Sequence, residues 1–157
     1  MQNLTQLIYI SRATFAPTAT QHGFEPHVAR ILAKSRANNR HTHLTGVLYF
    51  GDGCFFQCLE GNTESVDTLY AKLQLDDPHT NIQLLSHKPI DRRSFDDWSM
   101  KYVLVEKDIE RLLREHGHHT FDPYQFNAET VQALRDVFAA SDDADMPTDP
   151  PHPENNL

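Results

Sequence analysis

Leu44-Thr45-Gly46-Val47-Leu48-Tyr49-Phe50, then Gly51-Asp52-Gly53, then Cys54-Phe55-Phe56-Gln57-Cys58-Leu59-Glu60, is the stretch on which the fold turns. Two β-rich runs are joined by three residues whose glycines permit the positive φ of a tight turn, so the stretch predicts an antiparallel hairpin. In the second run Gln57 stands among Phe55 and Leu59. A carboxamide in apolar surroundings needs partners, and a flat heteroaromatic ring rimmed with carbonyls and nitrogens would supply them.

Upstream, Leu4 to Ser11 is apolar on both faces, as expected of a central strand. A loop with Pro17 and Gly23 follows. From Pro26, suited to a first helical turn, the positions Val28, Ile31, Leu32 and Ser35 recur at helical spacing, and that spacing carries Asn38 and Asn39 onto the same face. Downstream, Asn62 can cap a helix with the stripe Val66, Leu69, Tyr70 and Leu73, ending near Asp76, Asp77 and Pro78. Asn81 to Leu85 and Trp98 to Val105 then read as strands separated by a polar connection with Pro89, Arg92 and Arg93.

The order strand, helix, hairpin, helix, strand, strand predicts an α+β fold. The expected form is a ferredoxin-like sandwich with a five-stranded mixed sheet and two helices on one face. Ile109 to His116 and Glu129 to Ala140 read as a helix pair that covers the other face. The expected organisation is a sheet domain over 1–105, a helical cap over 106–140, and a disordered tail over 141–157. That tail holds four prolines and five acids with no Lys or Arg, too little apolar area to order itself.

The chain has 157 residues, 39% of them hydrophobic, enough to bury one sizeable core. A net charge of -8 and the lack of a basic patch argue against nucleic-acid binding. No apolar run approaches the roughly 18 residues of a membrane span, and the N-terminus does not read as a signal peptide, so a soluble cytoplasmic protein is expected. Cys54 and Cys58 are four apart on a strand, about 13 Å, too far for a disulfide. They read as small hydrophobes on one sheet face.

There is no G-x-G-x-x-G and no Walker-type loop, so a nucleotide would be held by side chains and helix surfaces. Two helices on one sheet face make a slot: Ile31 and the two amides line it from the first, Lys72, Leu73 and Asp76 from the second. Tyr9 and Gln57 can both point into it by strand alternation. Each also has a plain reading: Tyr9 as a core tyrosine, Gln57 as a solvated edge residue, Asn38 or Asn39 as a helix C-cap.

Together these residues resemble the BLUF domains, blue-light sensors that use FAD. The resemblance covers about residues 4 to 105. It rests on Tyr9-Ile10-Ser11, Asn39 seven residues before Gly46, Leu44-Thr45-Gly46-Val47-Leu48-Tyr49, Phe55-Phe56-Gln57-Cys58-Leu59-Glu60-Gly61 and Trp98-Ser99-Met100. It implies non-covalently bound FAD, with Tyr9 as photochemical electron and proton donor and Gln57 as the amide linking it to the flavin. Asn39, with Asn38 beside it, would bond the polar edge of the ring, and Ile31 and Leu73 would sandwich it. Lys72 and Asp76 would meet the ribityl, phosphate or ribose part.

By the same resemblance, Trp98 and Met100 would pass the altered Gln57 arrangement to the last strand and the C-terminal helices. The expected output is contact with a protein partner or self-association through those helices, in a sensor that is not an enzyme. Two other readings stay open: a small phosphoryl hydrolase on the same scaffold using Arg12 and Asn39, and metal binding by His41 with His43 or by His116 with His118 and His119.

Overall fold

The computed structural model describes residues 3–13, 26–75, 79–95, 100–102 and 106–140. The hairpin joins β2 (Thr45–Gly51) to β3 (Cys54–Asn62), with Gly51 opposite Cys54 and only Asp52 and Gly53 in the loop. Both loop residues have positive φ, 51° at Asp52 and 78° at Gly53, the pattern of a type I′ turn that matches strand twist. Asp52, not Gly51, thus takes the first left-handed position, which short polar side chains tolerate.

Around this hairpin the chain folds as an α+β protein on an antiparallel sheet. β1 (Leu4–Ala13) pairs with β3 on one side and with β4 (His79–Ile90) on the other, both antiparallel. A two-residue β5 (Lys101–Tyr102) runs parallel to β2, giving the order β4-β1-β3-β2-β5. Among the described residues the α-helices are α1 (Pro26–Thr42), α2 (Thr63–Leu73), α3 (Glu106–Glu115) and α4 (Ala128–Ala140).

Strand alternation divides the core in two. Ile8, Ile10, Val47, Phe56 and Cys58 pack with Ile109, Leu112 and Leu113 of α3 and with Val131, Leu134 and Phe138 of α4. Leu7, Tyr9, Leu48, Phe55 and Leu59 point the other way, to Leu32 of α1, Val66 of α2 and Met100. Each fully buried Leu, Ile or Phe contributes about 1.5–3 kcal/mol of transfer free energy, so neither layer is dispensable.

Several boundaries differ from those read in the sequence. β4 is not confined to Asn81–Leu85 but continues past Pro89, which lies opposite Thr5. Proline is tolerated there because β4 is an edge strand, where its missing N–H breaks no ladder. The last strand, expected over 98–105, is limited to Lys101–Tyr102 among the described residues. Helix α3 begins at Glu106 and stops at Glu115, before Gly117 with φ 84°. The loop with Pro17 and Gly23, the stretch Asp76-Asp77-Pro78 and the tail 141–157 lie outside the described residues.

Candidate functional site

The register of β1 on β3 sets Tyr9 opposite Gln57 on the α1/α2 face of the sheet. Both are buried, and the Tyr9 hydroxyl donates to Gln57 Oε1. The other end of the same carboxamide, Nε2, donates to Met100 Sδ at 3.7 Å. Because β3 lies between β1 and β2, Gln57 is a central-strand residue, not a solvated edge residue. A buried amide is therefore strung between a phenol and a thioether. Met100 is buried, and its carbonyl accepts from Arg36 Nε at 2.9 Å, which fastens this point of the chain to α1.

The end of α1 decides which of the two neighbouring asparagines faces inward. His43 takes a left-handed conformation, φ 59°, and Leu44 N donates to Asn39 O at 2.9 Å, the six-to-one bond of a Schellman ending. The left-handed cap position belongs to His43, which leaves the side chains of Asn38 and Asn39 for other roles. One residue advances a helix by about 100°, so the pair meet the cleft beside them at different depths. Asn39 is buried and Asn38 exposed, which corrects the expectation that both sit on the apolar face.

Between α1 and α2 opens a cleft of about 240 Å³, lined by Asn38, Asn39, His41, Thr42 and Leu44 and, across from them, Ser65, Thr68, Leu69 and Lys72. Tyr9 and Gln57 do not line it; Tyr9 lies in the buried cluster that shares Leu44 and Leu69 with its wall, and Gln57 is bonded to Tyr9 there. Ile31 and Leu73 are partly buried against the same cluster. Lys72 is exposed, while Asp76 and Trp98 lie outside the described residues.

Sequence reading missed Arg36, and it missed Tyr70 as a neighbour of the buried phenol, with ring centroids 5.6 Å apart. Arg36 stands three residues before Asn39, a helical spacing that could have flagged it. Burial raises the hydroxyl of Tyr70, so it stays a phenol at neutral pH. Across the sheet, burial and then the nearby Glu60 push the Cys58 thiol well up, which keeps it an inert core group.

The structure does not bring Arg12 and Asn39 together. Arg12 extends on the α3/α4 side, 3.7 Å from Cys54 Sγ, 3.9 Å from Asp122 and 4.9 Å over the Tyr124 ring. Asn39 belongs to the helix on the opposite face, so the hydrolase pair has no geometry. Among the described residues no group of three or more His, Cys, Asp or Glu is placed to hold a metal ion. None of their helices is long and apolar enough to cross a membrane.

Comparison with known proteins points to one family. A family model described as sensors of blue-light using FAD matches residues 4–101. Photoactivated adenylate cyclase subunit beta of Euglena gracilis is 33% identical over 99 residues, 63% of this chain but 11% of that protein. The chain thus spans about a tenth of the length of the curated relatives it matches. The solved structure of the BlsA ground state is 33% identical with TM-score 0.82, covering 92% of this chain and 93% of that one. The BlsA photo-activated state gives 32% identity and TM-score 0.80, covering 91% and 99%.

Proposed function

The chain belongs to the BLUF family, sensors of blue light using FAD, and from that premise we propose that it is a photoreceptor whose switch is the Gln57 carboxamide between Tyr9 and Met100. The observation that carries this reading is the buried, hydrogen-bonded chain Tyr9–Gln57–Met100.

The donor set around the α1/α2 cleft suits a flavin. Buried Asn39 and the adjacent Asn38, Thr42, Ser65 and Thr68 offer amides and hydroxyls, Leu44 and Leu69 offer apolar walls, and Lys72 offers a cation for a phosphate. Asn39 and Asn38 would hold the polar edge of the ring, Ile31 and Leu73 its faces, and Lys72 with Asp76 the ribityl or phosphate end. Bound FAD supplies blue absorption and, when excited, a site that takes up an electron.

Tyr9 is the oxidisable group. Its O–H already points at Gln57 Oε1, so the phenol can part with an electron while its proton moves along an existing hydrogen bond. Reversal restores the phenol and leaves the carboxamide turned. Nothing is consumed, which fits a sensor and not a catalyst.

Turning Gln57 has a directional consequence. Met100 Sδ accepts a hydrogen bond weakly and cannot donate one, so an amide that presents Oε1 to it loses that contact. Met100 then shifts its balance between two arrangements, and β5 follows. Trp98, close in sequence, is proposed to share this step. The output is contact with a protein partner or a second copy through α3 and α4.

The test is the visible spectrum of the purified chain before and after blue light. A yellow protein whose flavin band moves reversibly to longer wavelength supports the reading. A preparation that stays colourless with added FAD, or a yellow one with no light-induced shift, overturns it.

A further inference from the structure

One polar group on the far side of the sheet has no part in the switch just described. Glu60 is fully buried, three residues after Gln57 on β3 and, by alternation, on the α3/α4 face. A carboxylate in such a place is costly unless its lone pairs are filled. They are filled by three N–H donors: Ser94 N at 2.8 Å and Phe95 N at 2.9 Å on Oε1, and Gln6 Nε2 at 2.7 Å on Oε2. Gln6 is itself buried, and its Oε1 accepts from Arg135 Nη1 of α4 at 3.3 Å.

The polarity of this row is fixed at both ends. Arg135 can only donate and both Glu60 oxygens accept from N–H groups, so Gln6 cannot turn without setting donor against donor and acceptor against acceptor. Gln57 faces a hydroxyl, which can donate or accept, and a thioether whose contact is weak, so turning it gives up far less than turning Gln6. The chain holds one amide that can turn and another that cannot.

Phe95 and Met100 are both buried, at the two ends of one short stretch of chain. Glu60 grips the backbone at Ser94 and Phe95, while Gln57 and Arg36 grip Met100. We propose that Glu60 is a positioning residue for the photoresponse. Its carboxylate sets where the chain enters at Met100, and through Gln6 it ties that stretch to Arg135, so a turned Gln57 is felt at α4. This relay rests on the photoreceptor reading above.

Two substitutions separate the relay from the fold. In Glu60→Gln the oxygen can keep Ser94 and Phe95, but the new amide nitrogen faces Gln6, which must turn and thereby lose Arg135. In Arg135→Met the apolar stem remains, and the donor to Gln6 is removed together with the pair to the exposed neighbour Asp136. The measurement is hydrogen exchange over residues 128–140 of the full-length, FAD-loaded protein, in the dark and under blue light, with the flavin red shift recorded on the same samples.

The relay predicts that both variants keep the red shift while the light-dark exchange difference in α4 falls by roughly threefold or more. A purely structural role would lower stability in dark and light alike and leave that difference in place. An unchanged difference in Arg135→Met, or a wild type with a red shift but no difference in α4, overturns the relay and leaves the photoreceptor reading standing. A wild type without any red shift fails that reading, and the relay with it. If Glu60→Gln does not fold, Arg135→Met decides alone.

Discussion

Gly46 lies opposite Leu59 in the hairpin, and a Cβ built on it would stand 2.1 Å from the carbonyl oxygen of Cys58. Backbone is the obstacle there, so β2 could accept a side chain only by pulling away from β3, the strand that carries Gln57. Gly46→Ala is accordingly expected to lower stability by about 3 kcal/mol, at the upper end of ordinary single substitutions, as read by urea unfolding. Gly61 is more forgiving, because a Cβ there would meet Leu44 Cδ2, the end of a flexible side chain. The Thr-Gly pair in the sequence was legible as a motif; its reason, a carbonyl across the ladder, belongs to the paired strands and not to either one. Asn38 and Asn39 make the same point. Two adjacent amides look equivalent in a chain, and only the rotation of α1, ended by left-handed His43, buries Asn39 and exposes Asn38.

At the scale of elements, α2 and the hairpin were the most legible parts, since both carry local signals that agree with their packing. Asn62 Oδ1 accepts from Glu64 N at 3.0 Å, and Val66, Leu69, Tyr70 and Leu73 all reach the apolar cluster on the α1/α2 face. Asn62→Ala removes the cap from an 11-residue helix, and a thermal or urea measurement should find it less stable by about 1 kcal/mol. Elements defined by long-range pairing were harder to read. β4 runs through Ser86, His87, Lys88 and Pro89, which look like a loop alone but hold a regular antiparallel register with Thr5, Gln6, Leu7 and Ile8. Among the described residues β5 is Lys101–Tyr102, held in parallel against Val47 and Leu48. Nothing in the local sequence marks which two residues those are.

Over the whole molecule, one sheet separates two chemistries. The α1/α2 face carries the amide cleft and the Tyr9–Gln57–Met100 chain; the α3/α4 face carries the aromatic core of Tyr49, Phe56, Phe121 and Phe138 and the locked row from Glu60 to Arg135. Any signal from one to the other must pass the sheet or go around one of its edges, β4 or β5. The pairing of Tyr9 with Gln57 was legible, because residues of matching parity on neighbouring strands face the same side in an antiparallel register that sets them opposite. Arg36, Glu60 and Gln6 were not, since what makes them matter is contact across 64, 35 and 54 residues of chain. The central claim is that Gln57 and Tyr9 act as one unit on a bound flavin, and its most direct test is the light-minus-dark absorption spectrum of Tyr9→Phe and Gln57→Leu beside the wild type, each loaded with FAD. The account predicts a reversible red shift in the wild type and none in either variant, with flavin still bound in both. A normal red shift in either variant would contradict it.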